Sequence, residues 1–387
     1  MLNLNPEKLT GIKTPVYYYD LDLLRATLQA VNVPVQRYGY HVHYAFKANY
    51  NDKILSIIRD AGLGADCVSG NEVKKAIESG FDPSKIVFAG VGKTDEEIEY
   101  AIAQSIYSFN CESTQELEVI NSIAMREGKT VRVAIRINPN VNANTHKYIT
   151  TGLEENKFGI SISQLPDVLE VLEECANLRL EGLHFHIGSQ ITDMSSFRNL
   201  CTRVNEIVQW FNSRNVSLKH INVGGGLGVN YNQPDQESIP DFEAYFSLFN
   251  EFLQLERGQE LHFELGRAIV AQCGSLLSRV LYIKNGVNTN FIIVDAGMTE
   301  LIRPALYQSF HLIENLSAQD RAGADQFYDV VGPVCESSDC FGKRILLPVS
   351  KRGDLMAIRT AGAYGEVMSS GYNLREKVNS ITSEDLG

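Results

Sequence analysis

Apolar residues recur in eight short runs between residues 40 and 265, at 41–46, 63–67, 86–89, 105–109, 131–137, 180–186, 219–223 and 261–264. Runs of this length fit buried strands. Between them the apolar positions fall at helical spacing, as in Asn71–Ile77, Thr114–Ile120 and Phe197–Phe211. Ser113 or Thr114 caps the second of these helices, with acidic residues in its first turn. Strands alternating with helices predict parallel βα units, and eight units predict a closed (β/α)8 TIM barrel rather than an open sheet.

After about residue 270 the texture changes. Leu276–Ile283, Phe291–Val294, Tyr328–Val331, Ile345–Val349 and Leu355–Ile358 lie close together, separated by Gly, Pro, Asn and Asp. That is an all-β pattern. Val16–Tyr19 is also strand-like and precedes the first barrel strand, so it is a candidate for the C-terminal sheet. The expected division is a barrel over 30–268 and a discontinuous β domain of 1–29 plus 269–387. A chain of 387 residues exceeds one ordinary core, in keeping with two domains.

Charge and cysteine usage narrow the partners. A net charge of -12 argues against nucleic acid or an anionic membrane as the main partner. The seven cysteines are scattered and form no C-x-x-C pair, which points to reduced thiols in a cytoplasm. No signal peptide is expected from the first residues, and no apolar run is long enough for a transmembrane helix.

Chemistry-bearing residues sit just past four of the strand-like runs, where barrel enzymes gather their active groups. Lys47 follows the first. In Glu181–Gln190, alternation puts His184, His186 and Gly188 on one face, with Ser189 next. Gly224-Gly225-Gly226 offers backbone amides to an anion, with a helix N-terminus expected beyond it. Glu264-Leu265-Gly266-Arg267 pairs a carboxylate with an anion fork. Each has an ordinary reading: a surface lysine, a core histidine pair, a tight turn, an ion pair of about 0–1 kcal/mol. Zinc on His184 and His186 lacks a third ligand, His220 being remote, so no metal is expected. Together the four groups supply an amine, a stacking imidazole, an anion cradle and a carboxylate, the parts of a pyridoxal phosphate site. The β-rich part adds Arg303–Tyr307, Gly332–Asp339 and Ala361–Gly365, each an ordinary turn when taken alone.

In their order and spacing, Tyr44–Asn49, Glu181–Gln190, Gly224–Gly226, Glu264–Arg267, Arg303–Tyr307, Cys335-Glu336 and Gly362–Gly365 resemble the fold-type III pyridoxal phosphate decarboxylases over nearly the whole chain. The resemblance implies that Lys47 carries the cofactor and His186 stacks on it. Ser189, Gly225, Gly226, Gly266, Arg267 and Tyr364 are implied in holding it, with Glu264 on the ring nitrogen. Arg267, Arg303, Tyr307 and Tyr364 are implied in binding substrate, and Glu336 its distal ammonium. Cys335 is implied as the proton donor, supplied by the partner subunit of a homodimer with shared active sites. The implied reaction is decarboxylation of meso-2,6-diaminopimelate to L-lysine. Sister activities on ornithine, arginine or carboxynorspermidine, a racemase on the same barrel, and a non-catalytic homologue that binds a partner protein are the alternatives. Glu264 opposes the racemase, and the presence of both Lys47 and Cys335 opposes the non-catalytic homologue. His146–Gly152 and Lys157–Gly159 also match, in the loop after the fifth barrel strand. One departure is Leu265, where the family usually has proline, which puts the rigidity of that turn in doubt.

Overall fold

In a computed structural model, residues 9, 11–141, 157–318, 321 and 323–386 are described. His146–Gly152 lies outside them. The chain divides into two compact units, one of residues 28–228 and 241–266, the other of 1–27, 229–240 and 267–387.

The first strand, β1 (Val16–Tyr19), leads into helix α1 (Leu21–Tyr38). The barrel strands follow as β2 (His41–Ala45), β3 (Gly64–Cys67), β4 (Ile86–Phe88), β5 (Ser108–Cys111), β6 (Val131–Arg136), β7 (Leu178–His184), β8 (His220–Asn222) and β9 (Glu260–Leu265). They close into one parallel barrel in chain order, with β9 pairing back onto β2. All eight runs read from the sequence are strands. The fourth is displaced, spanning 108–111 rather than 105–109, because Ser105 adopts a left-handed φ of 56° and ends the preceding turn.

Among the described residues seven helices intervene: α2 (Asp52–Asp60), α3 (Gly70–Glu78), α4 (Asp95–Ala103), α5 (Thr114–Arg126), α6 (Leu165–Glu174), α7 (Ser195–Asn212) and α8 (Phe242–Phe252). Their starts are chemically marked. Ser69 and Ser113 accept from the backbone amides of Glu72 and Glu116, and Thr94 with Glu97 forms a capping box. Such caps contribute about 1 kcal/mol each.

Alternation along each barrel strand separates two environments. One face packs outward under the helices: the Phe263 ring lies 4.9 Å from Phe246 and 5.0 Å from Phe249 of α8, centroid to centroid. Each such fully buried side chain contributes about 1.5–3 kcal/mol. The other face points inward and is unusually polar. His43, Asp66, Asn110, His184, Asn222, His262 and Glu264 are all buried there. Polar groups in such a place must find partners or serve a ligand.

The second unit is built on β10 (Gly274–Asn285), which follows a short helix α9 (Arg267–Val270). The remaining elements are β11 (Asn290–Val294), α10 (Arg303–Tyr307), β12 (Ile313–Asn315), β13 (Gln326–Val331), β14 (Cys340–Leu347), β15 (Leu355–Ile358) and β16 (Asn379–Thr382). The sheet order is β12-β15-β10-β11-β13-β14. β1 joins it, antiparallel to β10 and parallel to β16. Val16, Tyr18, Leu277, Leu316, Leu355 and Ala357 form a buried cluster in this unit.

Candidate active site

At the ends of the barrel strands the inward polar residues converge on Glu264. This carboxylate is the next-to-last residue of β9 and is buried. Its Oε1 accepts from Asn222 Nδ2 at 2.8 Å and Asn110 Nδ2 at 3.1 Å, and its Oε2 lies 3.0 Å from His184 Nε2. Burial alone raises a carboxyl pKa. Here the His184 charge and hydrogen bond and the Lys47 charge outweigh it and hold Glu264 well below the usual range. Glu264 is therefore ionised at neutral pH.

Lys47 lies in the single helical turn Phe46–Ala48 that follows β2, the strand beside β9 in the barrel. Its Nζ is 3.0 Å from Asp66 Oδ2, and the Asp66 side chain is completely buried. Desolvation first, then the nearby Glu264 charge, push Asp66 up, against the pull of Lys47. The two carboxylates are thus held in opposite senses, Glu264 ready to stay charged and Asp66 inclined to take a proton.

His186 lies two residues beyond the end of β7, and its Nδ1 is 3.3 Å from the amide nitrogen of Gly225. Burial, then the positive charges of Arg136 and Lys47, push it down to about 3, so the ring is neutral at physiological pH. Glycine is demanded in the turn after β8. A Cβ on Gly225 would sit 1.8 Å from the carbonyl oxygen of Glu264, and Gly224 and Gly226 have φ of +70° and +107°. The segments after β7 and β8 run side by side, with the Ile191 amide donating to Gly226 O at 2.8 Å and the Gly228 amide to Ile191 O at 2.9 Å. This sets Ser189 close to the glycine turn. No helix starts there, contrary to the sequence expectation. The next one, α8, begins at Phe242, so its dipole lends nothing to the turn.

Leu265 stands where the resemblance would place a proline. It is buried and extends the β9 ladder opposite Tyr44. In the same barrel, the Arg136 guanidinium pairs with Glu112 Oε1 at 2.6 Å, and Glu112 Oε2 accepts from the Gly159 amide at 2.8 Å. Gly159 thus marks where the loop after the fifth barrel strand is tied down.

The second unit holds its own polar group. Arg267 Nη1 donates to Tyr231 Oη at 2.6 Å, and its guanidinium lies 4.9 Å from the Tyr364 ring centroid. Arg303 lies over Tyr231 at 5.5 Å and Tyr307 at 6.0 Å. Both arginines are buried. Among the described residues Arg303 meets no carboxylate. Its Nε instead lies 3.4 Å from His311 Nε2, and His311 Nδ1 is fixed on the Arg359 carbonyl at 2.9 Å. Burial, then the neighbouring Arg267 charge, lower the Arg303 pKa. Tyr364 itself has a left-handed φ of 56°. Cys335 and Glu336 are exposed, on a loop folded around Asp339, whose Oδ2 accepts from the Val334 amide at 2.7 Å. Glu336 Oε1 accepts from Tyr372 Oη at 2.9 Å.

Sequence reasoning missed Asp66, Asn110 and Asn222 in the barrel, and Tyr231 and His311 in the second unit. The available signal was a lone polar residue inside a short apolar strand, as in Gly64-Ala65-Asp66-Cys67.

The barrel residues fit pyridoxal phosphate. Among the described residues, three buried polar atoms around Glu264 have no hydrogen-bond partner: Asp66 Oδ1, Asn110 Oδ1 and His184 Nδ1. Beside them stand an amine, an ionised carboxylate, a neutral imidazole and a turn whose backbone excludes side chains. A closed parallel barrel with these groups at the carboxyl ends of its strands defines a pyridoxal phosphate enzyme of the barrel class. Residues 23–271 match the family described as pyridoxal-dependent decarboxylase, pyridoxal binding domain, and the chain belongs to that family. It is 55% identical to the diaminopimelate decarboxylase of Bacteroides thetaiotaomicron over 98% of each chain. It is 41% identical to the Vibrio cholerae diaminopimelate decarboxylase, over 95% of this chain and 87% of that one. The crystal structure of diaminopimelate decarboxylase from Helicobacter pylori complexed with L-lysine superposes with a TM-score of 0.91 at 40% identity, covering 98% of this chain and 94% of that one. No helix among the described residues is long and apolar enough to cross a membrane.

Proposed function

We propose that this chain decarboxylates meso-2,6-diaminopimelate to L-lysine and carbon dioxide, with pyridoxal 5'-phosphate as cofactor. The observation that carries the substrate class is the buried Arg303, which lies over aromatic rings and, among the described residues, has no carboxylate beside it. A buried guanidinium favours a ligand that brings an anion. Full-length relatives with the matching activity support the same reading.

The cofactor, when bound, supplies an electron sink for the pair left behind as carbon dioxide departs. Lys47 holds it covalently, and the Asp66 carboxylate steadies the lysine Nζ. Glu264 keeps a proton on the ring nitrogen, and the three side chains that grip its oxygens prevent it from turning away. A neutral His186 covers the ring face without adding positive charge. Ser189, Gly225, Gly226, Gly266, Arg267 and Tyr364 hold the phosphate end. Arg267, Arg303 and Tyr307, with Tyr364, receive the distal carboxylate, and Glu336 the distal ammonium. The Cys335 thiol delivers a proton to the former α-carbon. Its exposure in the single chain agrees with delivery into the site of a second copy, which makes the working form a homodimer with shared active sites. The β unit thus contributes the substrate residues and the proton donor, and also Arg267 and Tyr364, while the barrel contributes the remaining cofactor residues. The seven unpaired cysteines agree with a cytoplasmic setting.

Assay of carbon dioxide and L-lysine release from meso-2,6-diaminopimelate, beside L-ornithine and L-arginine, tests this. The dicarboxylic substrate should be turned over and the monocarboxylic ones rejected, because they leave Arg303 facing a cation. Equal turnover of L-ornithine refutes the assignment. Arg303→Ala should lower kcat/KM by about 10–100-fold, chiefly through KM.

A further inference from the structure

Four of the chain's eight histidines gather at the opposite end of the barrel from Lys47, where β2, β8 and β9 begin, and the reaction above uses none of them. They are His41, His43, His220 and His262. Their hydrogen-bond directions can be read in sequence. His43 Nδ1 lies 3.0 Å from the carbonyl oxygen of Lys85, which only accepts, so Nδ1 bears the hydrogen. In a neutral ring His43 Nε2 is then an acceptor, and at 2.9 Å it receives the hydrogen of His262 Nδ1. The lone pair of a neutral His262 is therefore on Nε2. That nitrogen lies 3.3 Å from Glu260 Oε2, which is a second acceptor. His41 Nε2 lies 4.0 Å from Glu260 Oε1, and its ring stacks on His262 at 4.7 Å. Tyr107 Oη is 3.4 Å from both Glu260 Oε2 and His220 Nδ1 and has one hydrogen to offer. The cluster is rich in lone pairs, and the cations beside it are Arg132, 5.0 Å from the Tyr107 ring centroid, and Lys85, whose charge acts on His43.

We propose that a divalent transition-metal ion of the zinc class binds here, ligated by His41 Nε2, His262 Nε2 and the Glu260 carboxylate, with water completing the shell. The ligand atoms of these three residues all lie within 4.8 Å of one another. Tetrahedral zinc with bonds of about 2.0–2.1 Å sets its ligand atoms about 3.3 Å apart. The His262–Glu260 spacing already meets that, and the half-exposed His41 closes the rest by a small side-chain movement. Two imidazoles with one carboxylate favour zinc, nickel or copper over magnesium or calcium. The His262 Nδ1 bond to His43 is the outer contact by which ligating histidines are oriented. The side chains of His41 and Glu260 are each 48% exposed, which leaves the ion an entrance. His41 and His262 are register partners on β2 and β9, so the ion ties the seam that closes the barrel.

The test uses the holoenzyme, stripped with a chelator and titrated with cobalt(II) as optical probe and zinc as stabiliser. Wild-type protein should bind one equivalent that is absent from His41→Ala and from Glu260→Gln, with cobalt d–d bands in the visible. Saturating zinc should raise the wild-type Tm by about 2–4 °C and leave the variants unmoved. His43→Ala should weaken zinc binding by about 10–100-fold. Taking the difference between wild type and His41→Ala removes any contribution from the exposed Cys335 thiol. Equal zinc binding by wild type and His41→Ala overturns the proposal. So does a nitrogen-15 spectrum in which His262, with equimolar zinc present, carries hydrogen on both ring nitrogens.

Discussion

The two ends of one barrel treat buried histidine in opposite ways. At the carboxyl ends of the strands, His184 is drawn onto an ionised Glu264, and His186 is kept neutral by burial and by Arg136 and Lys47. At the amino ends, His43 and His262 are joined to each other and to a carbonyl, with the nearest carboxylate, Glu260, half in solvent. Partnerless buried atoms follow the same division. Asp66 Oδ1, Asn110 Oδ1 and His184 Nδ1 cluster around Glu264, while none of the buried partnerless side-chain atoms among the described residues belongs to His43, His220 or His262. An unmet polar atom in a core costs about 1–3 kcal/mol. Concentrating three of them around one carboxylate marks the end that has a ligand to receive.

Substitutions at the two ends should therefore separate chemistry from stability. Lys47→Ala removes the amine that holds the cofactor, and kcat should fall on the order of 10⁴-fold or more, with the visible absorbance of the bound cofactor lost. Retained absorbance in that variant would break the contrast at its strongest point. Glu264→Gln keeps the shape and two of the grips but loses the charge. Here kcat should fall about 10²–10³-fold while KM changes little.

At the other end His43→Ala strips His262 Nδ1–H of its buried acceptor. It should cost about 2–3 kcal/mol of stability in denaturant titration, with kcat unchanged. A His43→Ala enzyme that is stable but slow would mean the two ends are not independent.

The smallest effect is a titration order. Asp66 is raised by desolvation and by Glu264, whereas Glu264 is depressed despite its burial. On acidification Asp66 takes its proton first and releases Lys47. Glu264 contributes stability that is complete above the ordinary glutamate value of 4.5 and fades as pH falls below it toward the depressed folded value. Carboxyl infrared bands of the apoprotein, compared with Asp66→Asn, should show the higher-pH step missing from the variant. Loss of the lower-pH step instead would reverse the assignment.

The barrel was legible in the sequence because each strand is a contiguous run with helical spacing on both sides. Lys47, His186 and the glycine turn were legible because they follow such runs directly. The grip on Glu264 was not. Asn110 and His184 are 154 and 80 positions away from it, and only barrel closure brings them to its oxygens. Asp66 was hidden for the same reason, as one polar residue in a strand of four. Tyr231 lies in the 229–240 segment, which belongs with the second unit although barrel residues flank it on both sides, a placement that periodicity cannot reveal. The histidine chain at the amino ends was invisible too. His41 and His43 read as the start of a strand, and their hydrogen-bond directions depend on a carbonyl 42 residues from His43.

The claim beneath all of this is that the amine at the end of β2 is the one that carries the cofactor, next to the buried pair of carboxylates. Borohydride reduction of the yellow holoenzyme, proteolysis and mass spectrometry of the phosphopyridoxyl peptide test it directly. The modification should fall on Lys47 alone. A modified Lys53 or Lys93, or a protein that takes up no cofactor, would contradict it.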